Sequence, residues 1–342
     1  MSRVIFFILS LVLCVITSVA KAEVVDDPFP LKFRITSNST VKLVGDEMYI
    51  EFESYEIPDS IRLNGKEFAV TGIDNGCFRK CKNLRSIYIP SSVTRIGDYA
   101  FEGCGKLTSV TISSKKTSIG SHAFSGCGKL SEVIIASEIT SIGESAFDGC
   151  FELRSIVIPE GVQSIGDWAF QDCRKLTNVE VPASVTNMGM GVFSRCSGLR
   201  SAVISSHVSY IEFSTFNQCR SLESVVLPAD VTSIGQSAFA DCSNLASIEI
   251  PYKVKSICQS AFAGCTRLSN VEISPLVKNI GVSAFERCFG LKNVTIPSSV
   301  LIIDDAAFKG CGNLEVIIKN DEGKVKIGAE AFKECKSVTY DD

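Results

Sequence analysis

The sequence predicts a β-rich α/β solenoid, in which short repeats share one continuous parallel sheet and are joined by short helical or 3₁₀ turns. Three observations carry this. Cysteine recurs at positions 81, 104, 127, 150, 173, 196, 219, 242, 265, 288 and 311, a period of 23, with Cys335 one residue late. A phenylalanine stands three residues before each, from Phe78 to Phe332, and a leucine three residues after each, from Leu84 to Leu314, with Val338 in the last repeat. The stretches between them alternate apolar and polar residues. Self-similarity at a fixed period of this size marks a stack of supersecondary units.

The elements follow in order. Residues 1–22 read as a signal peptide. Arg3 supplies the positive start, Val4 to Val19 is almost wholly apolar, and Ala20-Lys21-Ala22 is a small-x-small cleavage site, so the mature chain begins at Glu23. The run is short for a spanning helix, and no later run reaches the ~18 apolar residues that a span needs. No membrane span is therefore expected after cleavage. Leu13 before Cys14 argues against a lipoprotein signal, which wants a small residue there.

Residues 23–69 lack the repeat and read as an N-terminal β cap. Phe33-Arg34-Ile35, Val41-Lys42-Leu43 and Tyr49-Ile50-Glu51-Phe52 have strand character. Asn64-Gly65 between Ile61-Arg62-Leu63 and Phe68-Ala69-Val70 is a hairpin signal. Solenoids need such a cover over the first exposed layer of the core.

Residues 70–342 form the solenoid of about twelve repeats, with the unit V-T-S-I-G-x-x-A-F-x-G-C-x-x-L-x-x-V-x-I-P. Leu-x-x-Val-x-Ile predicts a strand with one buried face. Val-Thr-Ser-Ile is a second extended piece, punctuated by Gly. Ala-Phe-x-Gly-Cys is too short for a free-standing helix and is expected to make one helical or 3₁₀ turn. One unit cannot bury its apolar set alone, but stacked copies can. At about 4.8 Å per strand the body is on the order of 55 Å long. Six or so large apolar side chains per unit, at roughly 1.5–3 kcal/mol each, are ample to offset the ordering entropy.

This unit resembles the BspA-type leucine-rich repeat over Val70 to Val338, and Ile57-Pro58 through Val70-Thr71 resembles that family's entry into its first repeat. The resemblance implies a right-handed, curved, leucine-rich-repeat-like stack in a secreted or cell-surface protein. Characterised members are adhesins that bind host matrix proteins, and the family has no shared catalytic residues. Many members carry a C-terminal anchor or sorting domain that this sequence does not show.

The 15 cysteines against 2 histidines invite metal or disulfide readings. Cys77 and Cys81 have no second pair or histidine near them, as a zinc site would require. The ladder reads as buried free thiols that act as small hydrophobes. Cys77 and Cys258 fall outside the ladder and lie too many repeats apart to pair. His122 and His207 also lie repeats apart, so no Ser-His-Asp or Cys-His device is expected. The chain is read as a non-enzyme with no cofactor. Asn38-Ser39-Thr40 and Asn293-Val294-Thr295 are glycosylation sequons only in a eukaryotic secretory pathway.

Function should lie where exposed positions vary. Alternation places the residues flanking Val and Ile outward, three to a strand. The middle column reads Tyr88, Thr111, Ile134, Val157, Glu180, Val203, Val226, Glu249, Glu272, Thr295 and Ile318. None of the three outward columns, so read, holds Lys or Arg. Tyr88, Ile134, Val157, Glu180, Val203, Val226, Glu249 and Glu272 are the candidate binding residues on the concave face. The seven residues after each repeat phenylalanine instead hold 18 Lys or Arg against 9 Asp or Glu, although the whole chain is net −4. That predicts a basic edge, fit either for solubility or for sulfated glycans and acidic proteins. An exported adhesin whose partner is an extracellular protein or glycan, of host matrix for example, is the leading reading. A structural spacer or self-associating coat protein is the alternative. Export and net acidity argue against nucleic acid.

Overall fold

The computed structural model describes residues 24–26, 31–45, 49, 53–114, 116–135, 138–205 and 207–341. The signal peptide, the mature N-terminus at Glu23 and most of the Tyr49–Phe52 strand lie outside the described residues.

Most repeats lay down two strands. Ser86–Ile89 pairs in parallel with Ser109–Ile112, and that strand with Glu132–Ile135, in a register that sets Ile87, Val110 and Val133 side by side. Arg95–Ile96 pairs in the same way with Thr117–Ile119. The chain bends between the two strands at the proline that ends the first: Val93 N–H donates to the Pro90 carbonyl at 3.3 Å, and Val162 N–H to that of Pro159 at 3.0 Å.

The expected single sheet is therefore corrected. Among the described residues, strands stack in two columns, and these divide into five sheets. The Leu-x-x-Val-x-Ile column holds sheets of 4, 3 and 5 strands, and the Val-Thr-Ser-Ile column holds sheets of 10 and 6. The second column breaks between Asn187–Met188 and Tyr210–Ile211, where the motif itself fails: Met188 stands for Ile, Glu212 for Gly and Thr215 for Ala. There Thr215 Oγ1 donates to the Glu212 carbonyl at 2.8 Å. Trp168 crosses the side-chain-free Gly191 to meet Phe213 edge-on at 6.1 Å.

The expected helical turn is also corrected, and no α-helix occurs among the described residues. In the Ala-Phe-x-Gly-Cys segment, alternate N–H groups serve different masters. Those of Tyr99, Phe101 and Gly103 donate to Ser121, Ala123 and Ser125 in the next repeat, at 2.8, 2.7 and 2.8 Å. Those of Ala100, Glu102 and Cys104 donate three residues back, to Gly97, Tyr99 and Phe101. A helix would claim every N–H for itself. Here half of them build a third inter-repeat ladder, and the chain meets that geometry with left-handed residues on either side of the phenylalanine, such as Tyr99 at φ 59° and Gly103 at φ 70°.

The interior follows the sequence reading. From Phe78 to Phe332, each repeat phenylalanine lies nearly parallel to the next, at 5.0–5.6 Å between centroids. That spacing suits offset aromatic stacking. The cysteines of the ladder are free and almost all buried, and their thiols donate to phenylalanine carbonyls one repeat back, as Cys104 does to Phe78 at 3.0 Å and Cys196 to Phe170 at 3.1 Å. Burial raises the thiol pKa at Cys150, Cys242 and Cys265 and pushes Cys335 up to about 12.

At the N-terminal end, Ser60–Leu63 and Lys66–Ile73 form the predicted hairpin, with Asn64 and Gly65 at φ 50° and 79°. That pair of positive φ values is the signature of a type I′ turn. Thr40–Val44 lies parallel to Lys66–Ile73, which runs on into the second column. Tyr49 stacks on Phe78 at 5.1 Å and closes that end of the phenylalanine column.

Candidate functional site

The strand that carries the proposed face is held by its inward residues. Val and Ile at alternate positions are buried, so the residues between them must face out. Ile134, Val157 and Val226 are 52%, 75% and 58% exposed. Tyr88, Glu180, Glu249 and Glu272 are exposed as well, while Val203 is half-buried. Pairing places Tyr88, Thr111 and Ile134 side by side, and Glu180 beside Val203 and Val203 beside Val226. Val157 lies on an extended stretch outside the sheets, between these two groups. Glu249 and Glu272 follow directly on the paired strands Ser247–Ile248 and Asn270–Val271. The eight residues thus fall into neighbouring patches of one column.

Two details of the sequence reading change. Pro90, Pro159, Pro182, Pro228 and Pro251, expected outward, are buried where the chain bends into the second strand, so the face is nearer two residues wide than three. The eleventh strand is shifted by one residue: Ile317, not Ile318, pairs with Thr295, and Ile318 is buried. A slip of one residue exchanges the two faces of a strand. Lys319 therefore joins the outward set, where it pairs with Asp341, and the face is not wholly free of cations.

The histidines stay apart. His122 stacks on Tyr99 at 4.9 Å, and His207 Nδ1 lies 3.7 Å from Asp230, which also binds Lys253. Among the described residues no three His, Cys, Asp or Glu side chains are placed to hold a metal ion. Cys258 is half-buried beside Ser233, 3.6 Å from its hydroxyl.

The basic edge is real but much of it is neutralised within the stack. Arg79 pairs with Glu102, Lys175 with Glu152 at 2.6 Å, and Arg200 with Glu223 at 3.4 Å. Exposed pairs of this kind contribute about 0–1 kcal/mol each. The edge also forms two clefts that sequence reasoning missed. One is lined by Asp172, Arg174, Arg195, Ser197, Gln218 and Arg220, and the other shares Arg220 and adds Asp241, Arg287 and Phe289. The available signal was positional: these repeats carry charged or amide residues where their neighbours have glycine.

Comparison with known proteins settles the family. The BspA type leucine rich repeat region, described as six copies, matches residues 71–200, 117–246, 189–315 and 234–340. The chain belongs to the BspA-type leucine-rich repeat family. Among solved structures, this BspA-type chain is similar to a leucine-rich repeat protein from Bacteroides ovatus, with 32% identity, a TM-score of 0.76, and coverage of 90% of this chain and 79% of that one. It also matches a leucine rich cell surface protein from Faecalibacterium prausnitzii, with 26% identity, a TM-score of 0.48, and coverage of 89% and 97%. No curated protein sequence matches. Among the described residues, no helix is long and apolar enough to cross a membrane.

Proposed function

We propose that this BspA-type protein is an exported interaction module, acting outside the cell or at its surface as an adhesin, and that it binds a protein partner on the outer face of its Leu-x-x-Val-x-Ile column. The observation that carries this is the run of Ile134, Val157 and Val226, more than half exposed beside Glu180. Apolar side chains so placed contribute nothing to the packing of the stack, and contiguous exposed apolar surface commonly marks an interaction site. An acid set among apolar neighbours suits a partner with a basic or mixed epitope. The family and the Bacteroides ovatus relative support a repeat-based binding role and offer no enzyme chemistry.

The test is a binding screen of the purified chain against immobilised extracellular-matrix proteins. Val157→Lys with Val226→Lys should abolish saturable binding and leave the melting temperature nearly unchanged, because both side chains face water. Concentration-dependent oligomers with no saturable partner would instead support the spacer reading.

A further inference from the structure

The turn edge from Asp172 to Asp241 departs from its neighbours in a way the backbone does not ask for. The second residue after the repeat phenylalanine is left-handed in repeat after repeat. Gly103, Gly126, Gly149, Gly264 and Gly310 fill that position at φ 70–81°. Four consecutive repeats instead place Asp172, Arg195, Gln218 and Asp241 there, at φ 57°, 60°, 59° and 59°. That conformation costs a non-glycine residue about 1–2 kcal/mol. Lys80, Arg287 and Glu334 take the same conformation singly in other repeats, at φ 60°, 59° and 69°. What sets this stretch apart is that four such residues follow one another and gather their polar side chains on one part of the edge.

These four residues line the two adjoining clefts, of about 390 and 410 Å³, that meet at Arg220. Asp172 is nearly buried, and its two carboxylate oxygens face different guanidinium groups: Oδ1 lies 3.0 Å from Arg174 Nη2 and Oδ2 lies 3.6 Å from Arg195 Nη1. Arg174 also lies over the Phe151 ring at 4.7 Å. One acid thus orients two arginines, and each keeps further N–H donors to offer. Arg220 has no carboxylate partner among the described residues. Three guanidinium groups around one carboxylate make the first cleft cationic. Phe151, 42% exposed, lies under Arg174 beside the first cleft, and Phe289, 50% exposed, lines the second.

We propose that this edge binds a linear anionic polysaccharide, at a site separate from the strand face. Arg195 and Arg220 hold its carboxylate or sulfate groups, since the planar guanidinium matches such anions with two donors at once. Gln218 and Asp241 accept from its hydroxyls, and Phe289 packs against a ring face. A carboxylate-dense peptide suits the edge less well, because Asp172 and Asp241 would repel it and would have no hydroxyl to bind. The phenylalanine rings beneath successive turns lie 5.3–5.6 Å apart here, comparable with the length of one sugar residue, so successive sugars meet successive turns.

The test is calorimetric titration of the purified chain with hyaluronan oligosaccharides (carboxylate only), chondroitin sulfate, neutral dextran and polyglutamate. Binding to either anionic polysaccharide, weakened by salt, is expected, and which of the two binds more tightly identifies the anion. Arg195→Gly with Arg220→Gln should weaken that binding by about tenfold or more, as expected for lost charged hydrogen bonds. Its melting temperature should not fall, because glycine already occupies this position elsewhere. Lys106→Gln with Lys129→Gln removes the same charge from the same edge outside the clefts and should change affinity less than about twofold. Absence of binding to both polysaccharides, equal losses in the two variants, or tighter binding to dextran or polyglutamate would overturn the proposal.

Discussion

The turns at Gly103, Gly126 and Gly149 and the turns at Asp172, Arg195 and Gln218 follow one backbone path and present different surfaces. In both groups the residue is left-handed, and its N–H bridges to the next repeat: Gly103 to Ser125 at 2.8 Å and Arg195 to Asn217 at 2.7 Å. Beneath both, phenylalanine stacks on phenylalanine at almost the same spacing, 5.0 Å from Phe101 to Phe124 and 5.6 Å from Phe170 to Phe193. The conformation is thus imposed by the ladder and the core and not by the residue that adopts it. This frees the position to carry chemistry, and only some repeats use that freedom.

The comparison breaks most visibly if the two regions do not share one interior. Phe124→Ala under the glycine turns and Phe170→Ala under the charged turns should each cost about 3–5 kcal/mol, as large buried aromatics do. Urea unfolding of both variants should give losses that agree closely, and a much smaller loss at Phe170 would mean that the charged turns pack differently below. A smaller effect sharpens the contrast in backbone cost. Gly126→Arg should lose about 1 kcal/mol to left-handed strain, whereas Arg195→Gly should be neutral or slightly stabilising. Thermal melts compare them directly, and a Gly126→Arg variant more stable than the parent would show that a side chain at this left-handed position carries no backbone cost.

The smallest expected effect concerns Asp148, half-buried beside the charged turns, whose carboxyl accepts from Gln171 Nε2 at 3.1 Å. Burial holds it above the usual carboxylate range, ahead of the opposing hydrogen bond. A raised carboxyl stabilises the fold only while it is protonated, and that contribution is lost as pH rises through its folded value. Asp148→Asn should therefore raise the melting temperature at pH 7 and leave it unchanged at pH 3. Equal shifts at both values would show that ionisation is not the cause.

Much of this molecule is legible because its interior is periodic. Phe101, Cys104 and Leu107 declare their burial by recurring in step, and Asn64-Gly65 declares its turn by chemistry alone. What is illegible depends on neighbours that lie 22 or 23 residues away. Nothing local in Tyr99 or Arg195 announces a left-handed residue, so the turn reads as a nascent helix until the ladder is seen. Pro90 alternates outward on paper, but the bend it makes buries it. The shift that exposes Ile317 comes from one residue missing ahead of that strand, which a fixed count from Cys311 passes over. Of the candidate sites, the exposed Val157 and Ile134 could be read from alternation. The clefts around Arg220 left only a positional trace, Asp172, Arg195, Gln218 and Asp241 where Gly149 and Gly264 stand in the flanking repeats, because they are assembled from positions in successive repeats.

The most direct measurement takes the four departures together, as Asp172→Gly, Arg195→Gly, Gln218→Gly and Asp241→Gly in one chain, and reads folding and binding side by side. If these side chains serve a ligand and not the fold, the variant keeps its cooperative melt, shifted by no more than about 4 °C, and no longer binds the anionic polysaccharide that the parent binds. A variant that fails to fold, or one that folds and binds as the parent does, would contradict the account.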